Sequence, residues 1–415
     1  MKKVVFMCTL VSGVVSAAGF EKALLWSGRY AGMGGAVASS VSGSESMMFN
    51  PAGLVSTQGI DVSANFSPTS TQTKAPLSFY TNSSLVTSSK RSLRFPFGLT
   101  GKYSVNPDLA VGAGFMVSGG AGADFGDLVA TTINGVTVPV PYQSKIAISE
   151  FALGAAYKVM PGLKVGATWR TSFVSARFQY GQVSGASTVL GADLNGLKAT
   201  NFAGFRLGAQ YEPEGMPVTF GVFVRTPVSF TAKGTLSAFS GANAAVTTLT
   251  GSETTVKNSL PLQIGIGAHY KVMAENTVAL QYELTNYSAN KVLDFSGTVT
   301  GVAVLPVDIV QNWKNMHAVR LGYEHGFGPA VVRAGYIFTT AVTPKEYAQP
   351  TFSSPGPGHT FVVGGGYSID KSLRADGALE YSMASGTVTS TLNSQKTGKY
   401  SSNAFGAHLG LTYTL

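Results

Sequence analysis

After residue 57 the chain repeats one kind of segment, in which apolar residues alternate with polar or small residues. In one such segment Leu163, Val165 and Trp169 fall on one face, while Lys164 and Arg170 fall on the other. A period of two is typical of a β-strand whose two faces meet different environments. About fourteen such segments follow one another, near 58–73, 91–104, 108–118, 145–159, 162–180, 200–212, 216–233, 256–271, 275–294, 313–325, 329–340, 358–369, 372–387 and 401–415.

The connections between these segments alternate in length. Every second connection is a tight turn, at 106–108, 160–162, 213–215, 273–276, 326–329 and 370–371. The intervening connections are long, at 74–90, 119–144, 181–199, 234–255, 295–312, 341–357 and 388–400. Short turns on one side and long loops on the other are typical of a transmembrane barrel and not of a soluble sandwich. The sequence therefore predicts an all-β fold, an antiparallel transmembrane barrel of about fourteen strands.

The charged residues of these strands fall on the face opposite the large apolar residues. A register slip of one residue would place every one of them in lipid, so the register is strongly specified and the charges point into the lumen. The inward bases are Arg94, Lys102, Lys164, Arg170, Arg206, Arg225, Arg320, Arg333 and Arg374, and the inward acids are Glu283, Glu324, Asp376 and Glu380.

The first 57 residues do not follow the strand pattern. Lys2 and Lys3, a short apolar stretch at 4–15 and small residues at 15–17 predict a secretory signal peptide over 1–17. Cys8, the single cysteine, lies inside that peptide, so the mature chain is expected to hold no disulfide. Residues 18–57 are rich in small residues and lack alternation, which predicts a compact hatch inside the lumen, ahead of a barrel over 58–415.

Composition narrows the class of protein. Only 12% of the residues are charged, 50 are Gly and 44% are hydrophobic, which excludes a typical cytosolic enzyme and a disordered chain. No run of about 20 apolar residues occurs, which excludes helical membrane spans. The net charge of +9 is dispersed without a basic run, so no nucleic-acid partner is expected.

Motifs for catalysis and metal binding are missing from the sequence. The five His residues are scattered without metal-ligand spacing, and no H-E-x-x-H or G-x-S-x-G occurs, so we expect no enzyme, cofactor or metal. Two alternatives stay open. Asp124 and Asp127 are either solvated or a Ca²⁺ site, and the inward His269 and His408 leave room for a lipid hydrolase with a lumenal His–Ser pair.

Several short stretches, taken in order, resemble the long-chain fatty acid and aromatic-hydrocarbon transporter family of the outer membrane (FadL/TodX type, OMPP1). They are Ala18-Gly19-Phe20, Ser27-Gly28-Arg29-Tyr30-Ala31-Gly32, Asn50-Pro51-Ala52-Gly53-Leu54, Trp169-Arg170-Thr171, Ser259-Leu260-Pro261, Asn312-Trp313, Arg320-Leu321-Gly322-Tyr323-Glu324 and Arg333-Ala334-Gly335-Tyr336. The resemblance implies fourteen strands, a hatch that carries the motif Asn50, Pro51 and Ala52, and an inward kink of the third strand that opens a lateral passage. The terminal Leu415 departs from the usual aromatic residue.

The basic excess of the lumen predicts a site for an anionic head group. An unpaired Arg in a confined lumen attracts a carboxylate, and an acyl chain gains roughly 0.8 kcal/mol per buried CH₂. Candidate ligand-binding residues are Arg170, Arg206, Arg225 and Lys164, with Arg170 first because no acid shares its inward face. The alternative is that these residues form structural ion pairs between barrel and hatch.

Glycines at the end of the third strand predict the exit. Gly119, Gly120 and Gly122 mark a bend or bulge, which fits a lateral gate if it lies in the bilayer and a flexible loop if it lies above. Apolar stretches in the long loops, at 236–239, 244–249 and 302–307, are either an extracellular capture site or loops packed on one another.

Taken together, these features predict a passive channel of the bacterial outer membrane for hydrophobic compounds, most of all long-chain fatty acids. The alternatives are a monoaromatic hydrocarbon channel, an anion-preferring porin and an outer-membrane lipid hydrolase. Expected partners are the hydrophobic small molecules, outer-membrane lipid, lipopolysaccharide and the outer-membrane assembly machinery, with the protein a monomer.

Overall fold

The computed structural model describes residues 27–77, 86–126, 130–133, 136–139, 141–184, 188–242, 245–249, 253–297, 308–352, 354–392 and 396–415. The signal peptide predicted at 1–17 lies outside these residues. The described chain forms a closed antiparallel β-barrel of fourteen strands. All fourteen strand segments expected from the alternation are present. The long connection expected at 181–199 is wrong, because the strands Leu163–Ser184 and Thr188–Tyr211 pair with each other and occupy most of it.

Seven strands build the first half of the barrel. They are β1 (Ile60–Phe66, continuing as Thr69–Pro76), β2 (Ser92–Arg94 and Phe97–Asn106), β3 (Leu109–Asp124), β4 (Tyr142–Met160), β5 (Leu163–Ser184), β6 (Thr188–Tyr211) and β7 (Val218–Arg225 and Val228–Ala242). The second half consists of β8 (Glu253–Leu260 and Gln263–Met273), β9 (Asn276–Thr285 and Val292–Ser296), β10 (Ile309–Val310 and Met316–Phe327), β11 (Ala330–Thr339), β12 (Gly358–Ser368), β13 (Leu373–Val388) and β14 (Gly398–Thr414).

Each strand pairs with its neighbours in sequence, and β1 pairs with β14 to close the barrel. The closing register runs from Asp61 opposite Thr414 to Phe66 opposite Leu409. The backbone N–H of Leu415 also donates to the Ile60 carbonyl at 2.8 Å. A closed barrel leaves no sheet edge, which a spanning sheet requires because lipid offers no hydrogen-bonding partner.

Shorter elements accompany the barrel. An α-helical turn α1 (Gly28–Ala31) and two 3₁₀ turns (Ser44–Met48 and Pro51–Ser56) precede β1. Two more 3₁₀ turns, Tyr287–Ala289 and Lys345–Tyr347, lie between strands. Short strands outside the fourteen are Val86–Ser88, Ala130–Ile133 with Val136–Pro139, and Ala245–Leu249. No helix among the described residues has the length and apolar character needed to cross a membrane.

The two faces of the strands differ as the alternation predicts. Large apolar side chains such as Leu153, Phe205 and Leu321 point outward and are each 44% exposed in the isolated protein. The polar residues between them, such as Thr168 and Arg206, are buried. The predicted register is confirmed. In contrast to a soluble protein, large apolar side chains of the wall point outward and polar side chains between them point inward.

Residues 27–57 lie inside the barrel against inward-facing glycines of its wall. A Cβ on Gly166 would lie 2.5 Å from the carbonyl carbon of Pro51, and one on Gly322 would lie 2.6 Å from the Met33 carbonyl oxygen. Further glycines of β3, β4, β6, β7, β11 and β12 accommodate the same segment, namely Gly112, Gly154, Gly208, Gly221, Gly335 and Gly364. Much of the glycine excess therefore makes room for the N-terminal segment.

Candidate functional site

The inward face of β5 divides the lumen into three levels. Gly166, nearest the short turns, lies against the N-terminal segment. Arg170 follows at a polar level, where it is fully buried. Val174 and Phe178 belong to an apolar level nearer the long connections. Side chains two residues apart lie on the same face of a strand. The inward face of β5 therefore contacts, in this order, the N-terminal segment, the polar belt and the apolar chamber.

Arg170 and Glu150 form the centre of the polar belt. The Nε of Arg170 donates to Glu150 Oε2 at 3.0 Å, its Nη2 contacts Oε1, and both side chains have no exposed surface. No acid shares the inward face of β5, but Glu150 comes from the neighbouring strand β4, where it lies opposite Ser172. The lack of an acid on the inward face of β5 is therefore not a sufficient reason to rank Arg170 first among the ligand residues. Its Nη1 has no hydrogen-bond partner among the described residues.

The other three predicted ligand residues have contacts of their own. Arg206 Nη1 donates to the Met47 carbonyl at 2.9 Å, and Arg225 Nη2 donates to the Pro261 carbonyl at 3.5 Å. Both guanidinium groups act electrostatically on Glu150, so the belt places three cations around one acid. Lys164 lies apart from them, because its Nζ donates to Ser56 Oγ at 2.9 Å. The structure brings Arg170, Arg206 and Arg225 together and separates Lys164 from them.

The apolar chamber is a packed cluster of buried apolar side chains directly beyond this belt. Its buried side chains come from β4 to β10 and from the segments after β9 and β11. They include Ile146, Ile148, Val174, Phe178, Leu194, Leu197, Val228, Leu236, Val256, Leu260, Leu293 and Phe295. A Cβ on Gly204 would lie 3.2 Å from Val228 Cγ2 and 3.3 Å from Arg170 Cβ, so the charged belt and the chamber touch.

Aromatic residues outside the regular strands cover the chamber. Tyr287 and Trp313 pack edge to face with ring centroids 5.6 Å apart, and Trp313 packs on Phe352 at 6.3 Å. Leu236 and Ala238, from the apolar stretch at 236–239, are buried in the same chamber, which favours packing over an exposed capture site. The stretch at 302–307 lies outside the described residues.

The inward charges of β9, β10, β11 and β13 are paired. Arg333 binds Glu324 at 2.6 Å and Asp376 at 2.7 Å, and Arg374 binds Asp376 at 2.8 Å. Arg320 reaches Glu283 at 3.4 Å and also donates to the Gly34 carbonyl. Arg374 thus pairs with an acid of its own strand, whereas the acid that pairs with Arg320 comes from β9. These groups brace the wall and the N-terminal segment.

Asn50, from the motif with Pro51 and Ala52, ties the N-terminal segment to the wall. Its Nδ2 donates to the carbonyls of Ala38 at 2.6 Å, Ala209 at 2.9 Å and Val222 at 3.2 Å. Its Oδ1 accepts from the Ala52 N–H at 3.2 Å and thereby caps the 3₁₀ turn that Pro51 begins. Pro51 suits this first position because it lacks an N–H to satisfy.

Glu45 is a second anchor in the N-terminal segment. Its carboxyl group accepts from Ser27 Oγ at 2.6 Å, from Asn65 Nδ2 at 2.7 Å and from Ser63 Oγ. Burial raises the pKa of Glu45 above its usual value, while these hydrogen bonds and Arg29 oppose the shift. The carboxyl group is therefore less readily ionised than one in water.

The third strand leaves one partner and keeps the other. β3 pairs with β2 as far as Met116 opposite Gly98, but it continues beside β4 to Asp124 opposite Gln143. A register shift between Val117 and Gly119 marks a bulge. Gly120 and Gly122 have φ angles of 153°, which favour glycine, and a Cβ on Gly122 would overlap the Ser144 carbonyl. The predicted gate glycines thus lie on the stretch that has lost one neighbour.

Two features lie outside the belt and chamber. His408 Nδ1 is 3.0 Å from Ser67 Oγ, and His408 Nε2 is 3.1 Å from Glu380 Oε2, so the contact that the hydrolase alternative requires is present, with an acid on the other ring nitrogen. Asp124 bonds Lys145 at 3.2 Å, and Asp127 lies outside the described residues. The part of the chain that the structure describes contains no metal-type cluster of His, Cys, Asp and Glu.

A groove of about 440 Å³ lies on the outer wall, away from the lumen. Its lining includes Tyr211, Phe220, Ile266, Leu280 and Tyr282, all of which point toward the bilayer. It is therefore separate from the lumenal site.

The chain matches the family model described as outer membrane protein transport protein (OMPP1/FadL/TodX) over residues 8–415. No curated protein sequence matches it.

Solved structures share the fold at low identity. The Pseudomonas putida toluene transporter TodX is 18% identical, with a TM-score of 0.77 over 93% of this chain and 97% of that one. A Pseudomonas aeruginosa FadL homologue is 14% identical, with a TM-score of 0.77 over 96% and 100%. The Ralstonia pickettii toluene transporter TbuX is 20% identical, with a TM-score of 0.68 over 94% and 98%. At such identities the likeness describes the fold.

Proposed function

Because the chain belongs to the OMPP1/FadL/TodX family of outer membrane transport proteins, we propose that it is a passive channel for hydrophobic compounds with an acidic head group, long-chain fatty acids first. The observation that carries this choice is the contact between the Arg170, Arg206 and Arg225 belt and the apolar chamber. A fatty acid has one group for each: a carboxylate for the guanidinium groups and an acyl chain for the chamber.

A monoaromatic hydrocarbon channel is the alternative within the family. Two of the structures that share the fold are described as toluene transporters, and a third as a FadL homologue. A hydrocarbon would use the apolar chamber alone, and a buried charged belt beneath it would then only brace the wall. The unpartnered Arg170 Nη1 supports the acid, because a buried donor without an acceptor is costly.

The path of the substrate follows from the levels of the lumen. Residues 18–57 act as a plug, which the contacts of Asn50 and of the wall glycines support. A hydrophobic molecule enters between the aromatic side chains over the chamber, meets the belt above the plug, and leaves sideways where β3 has parted from β2. The gate glycines Gly119, Gly120 and Gly122 lie at that exit.

Binding of a matched acid and alcohol tests the proposed substrate. Arg170→Met in the full chain should weaken oleate binding by about 1.5–3 kcal/mol, typical for a hydrogen bond to a charged group, and leave oleyl alcohol binding unchanged. Arg177→Met is the control, because Arg177 lies on the same strand and pairs with Asp193 at 2.6 Å. Equal losses for acid and alcohol would assign Arg170 a structural role.

The exit has its own test. Valine at Gly120 or Gly122 would strain the backbone, because φ is 153° at both positions. Replacing Gly119, Gly120 and Gly122 together by valine would therefore disturb folding as well as the gate. Gly119→Val alone avoids that region of φ and adds bulk to the same stretch. Uptake of oleate should fall while the folded barrel reaches the surface in normal amount. Unchanged uptake by the folded variant would exclude an exit at this position.

A second candidate function is the hydrolysis of a lipid ester. It is supported by the hydrogen bonds that link Ser67 to His408 and His408 to Glu380. Serine hydrolases also combine a nucleophile, a base and an orienting acid, but there the serine contacts Nε2 and the acid contacts Nδ1, the reverse of His408. Transport is favoured because Ser67 is only 1% exposed and its backbone N–H already donates to the Pro96 carbonyl at 2.8 Å. Covalent labelling of Ser67 by a fluorophosphonate, absent in Ser67→Ala, would support the hydrolase instead.

A porin and the remaining partners complete the proposal. A plugged channel should conduct ions poorly in planar bilayers, whereas an anion-preferring porin should conduct steadily.

Outer-membrane lipid and lipopolysaccharide cover the apolar outer wall, and the assembly machinery acts on the last strand, which ends at Leu415. The barrel closes on its own first and last strands, which supports a monomer.

A further inference from the structure

The parting of β3 from β2 leaves a window of defined height in the wall. Met116 lies opposite Gly98 below it. Above it, the backbone N–H of Lys90 donates to the Asp124 carbonyl at 2.8 Å. Both pairs fit one antiparallel register, so the ladder resumes in phase after the interruption. The window therefore lies between residues 91–97 and residues 117–123.

The β2 edge of the window is still held from the other side. Arg94 pairs with Thr69 and Leu93 with Ser70 of β1. Leu93 and Phe95 point outward and are 63% and 51% exposed, whereas Arg94 shares the inward face with the buried Thr69. The positively charged Arg94 thus faces the lumen, whereas its neighbours in sequence, Leu93 and Phe95, face lipid.

Arg94 has no ion-pair or hydrogen-bond partner in the part of the chain that the structure describes. Its Nε is buried and has no hydrogen-bond acceptor among the described residues. Asp124 acts on it electrostatically, but the Asp124 carboxylate already binds Lys145 at 3.2 Å. The Arg94 side chain as a whole is half-buried, and a guanidinium Nε that is removed from water without an acceptor is costly.

The opposite edge offers a second unpartnered group. Ser118 lies at the bulge of β3, and its buried Oγ has no hydrogen-bond partner in the described part of the chain. In the continued register Pro96 would face Ser118, and Arg94 would face Gly120. The two edges of the window therefore present a guanidinium and a hydroxyl that are offset by two residues along the ladder.

We propose that Arg94 and Ser118 form a binding site in the window for the carboxylate of a hydrophobic acid. The guanidinium supplies charge-assisted hydrogen bonds and Ser118 one more, while the acyl chain lies outward along Leu93 and Phe95 in the bilayer. The site makes the window selective for acids over neutral hydrocarbons of the same length. This inference rests on the proposed function, because it requires transport through the window.

Uptake of oleate and of oleyl alcohol by cells that produce the full chain tests the site. Arg94→Met should lower the initial rate for oleate about tenfold and change the rate for the alcohol less than about twofold, since only the acid loses a charged partner. Arg94→Lys should restore most of the oleate rate, and Ser118→Ala should give a smaller loss than Arg94→Met. Arg91→Met is the control, because Arg91 is exposed and donates to Ser70 and Gln72.

The outcomes separate this inference from the proposed function. If the wild-type protein moves both compounds and Arg94→Met slows both equally or neither, the carboxylate site is overturned. The proposed function is then unaffected. A wild-type protein that moves neither compound overturns the proposed function, and the site falls with it. Heat-modifiable migration of each variant in detergent gels shows that the compared barrels are folded.

Discussion

The side-chain Nδ2 of Asn50 donates to the backbone carbonyl of Ala209 across 2.9 Å, joining the N-terminal segment to the wall from inside the barrel. The same amide reaches Val222, which lies opposite Ala209 on the next strand. One side chain thus binds two adjacent strands, so the buried amide of Asn50 is one of the groups that determine the position of the segment.

Replacing Asn50 should loosen the plug. Asn50→Leu removes the donor and leaves buried carbonyls unsatisfied, each at a cost of about 1–3 kcal/mol. We expect a folded barrel whose ion conductance in planar bilayers rises well above that of the wild type. Asn201→Ala is the control, because Asn201 bonds a wall carbonyl, that of Ser229, at a more exposed position. A conductance equal to that of the wild type would show that Asn50 does not hold the plug.

The glycine niche next to Asn50 should matter in the same way. A Cβ on Gly208 would overlap the Asn50 side chain, so Gly208→Ala should displace the segment and raise conductance. Gly101→Ala is the matched change, because its Cβ would meet nothing closer than 3.9 Å. If both alanine variants conduct alike, the inward glycines do not determine how the plug is seated.

The buried pair of Arg170 and Glu150 should show strong coupling. Glu150→Gln leaves Arg170 as an uncompensated buried charge and should destabilise the barrel by about 3–5 kcal/mol, whereas Arg170→Met should cost less because Arg206 and Arg225 still act on Glu150. The double variant should lose much less than the sum, because it buries no lone charge. Urea unfolding in lipid vesicles measures all three.

The exposed pair of Lys233 and Glu253 is the control for that cycle. Their side chains are 65% and 69% exposed, and Glu253→Gln should cost about 0–1 kcal/mol. Additive losses at Arg170 and Glu150 would contradict the strong coupling between the two charges.

Acidification should tighten the plug through Glu45. Burial raises its pKa in the folded state, so the folded protein binds this proton more strongly than the unfolded chain does. The stability that the proton contributes is complete below the ordinary pKa of 4.5 and is lost as the pH rises through the raised value. We expect conductance to fall as the pH is lowered from neutrality toward that value.

Glu45→Gln gives this expectation a sharp control. The amide is neutral at every pH, so the variant should lose the pH dependence that Glu45 causes. Glu214→Gln, in the tight turn between β6 and β7, should keep the wild-type profile. A Glu45→Gln protein with an unchanged pH profile would assign the dependence to another group.

The sequence determined the number of strands, their approximate positions and the face of most of the charged side chains in them. It could do so because strand alternation is local and lipid covers one face, so that any slip in register would expose charges to hydrocarbon. The separate character of residues 18–57 and the bend at the glycines of β3 are local in the same way.

Only the tertiary structure decided which groups meet across strands. Glu150 and Arg170 are 20 residues apart, and their contact depends on the stagger of β4 against β5, which alternation leaves open. The same holds for Lys164 and Arg206, which contact the N-terminal segment, and for Arg94, whose isolation appears only once the β2–β3 ladder is seen to open and close in one register. Period-two patterning fixes the side of a strand on which a residue lies, whereas strand stagger and the path of a non-repetitive segment fix its neighbours, and these depend on packing throughout the barrel.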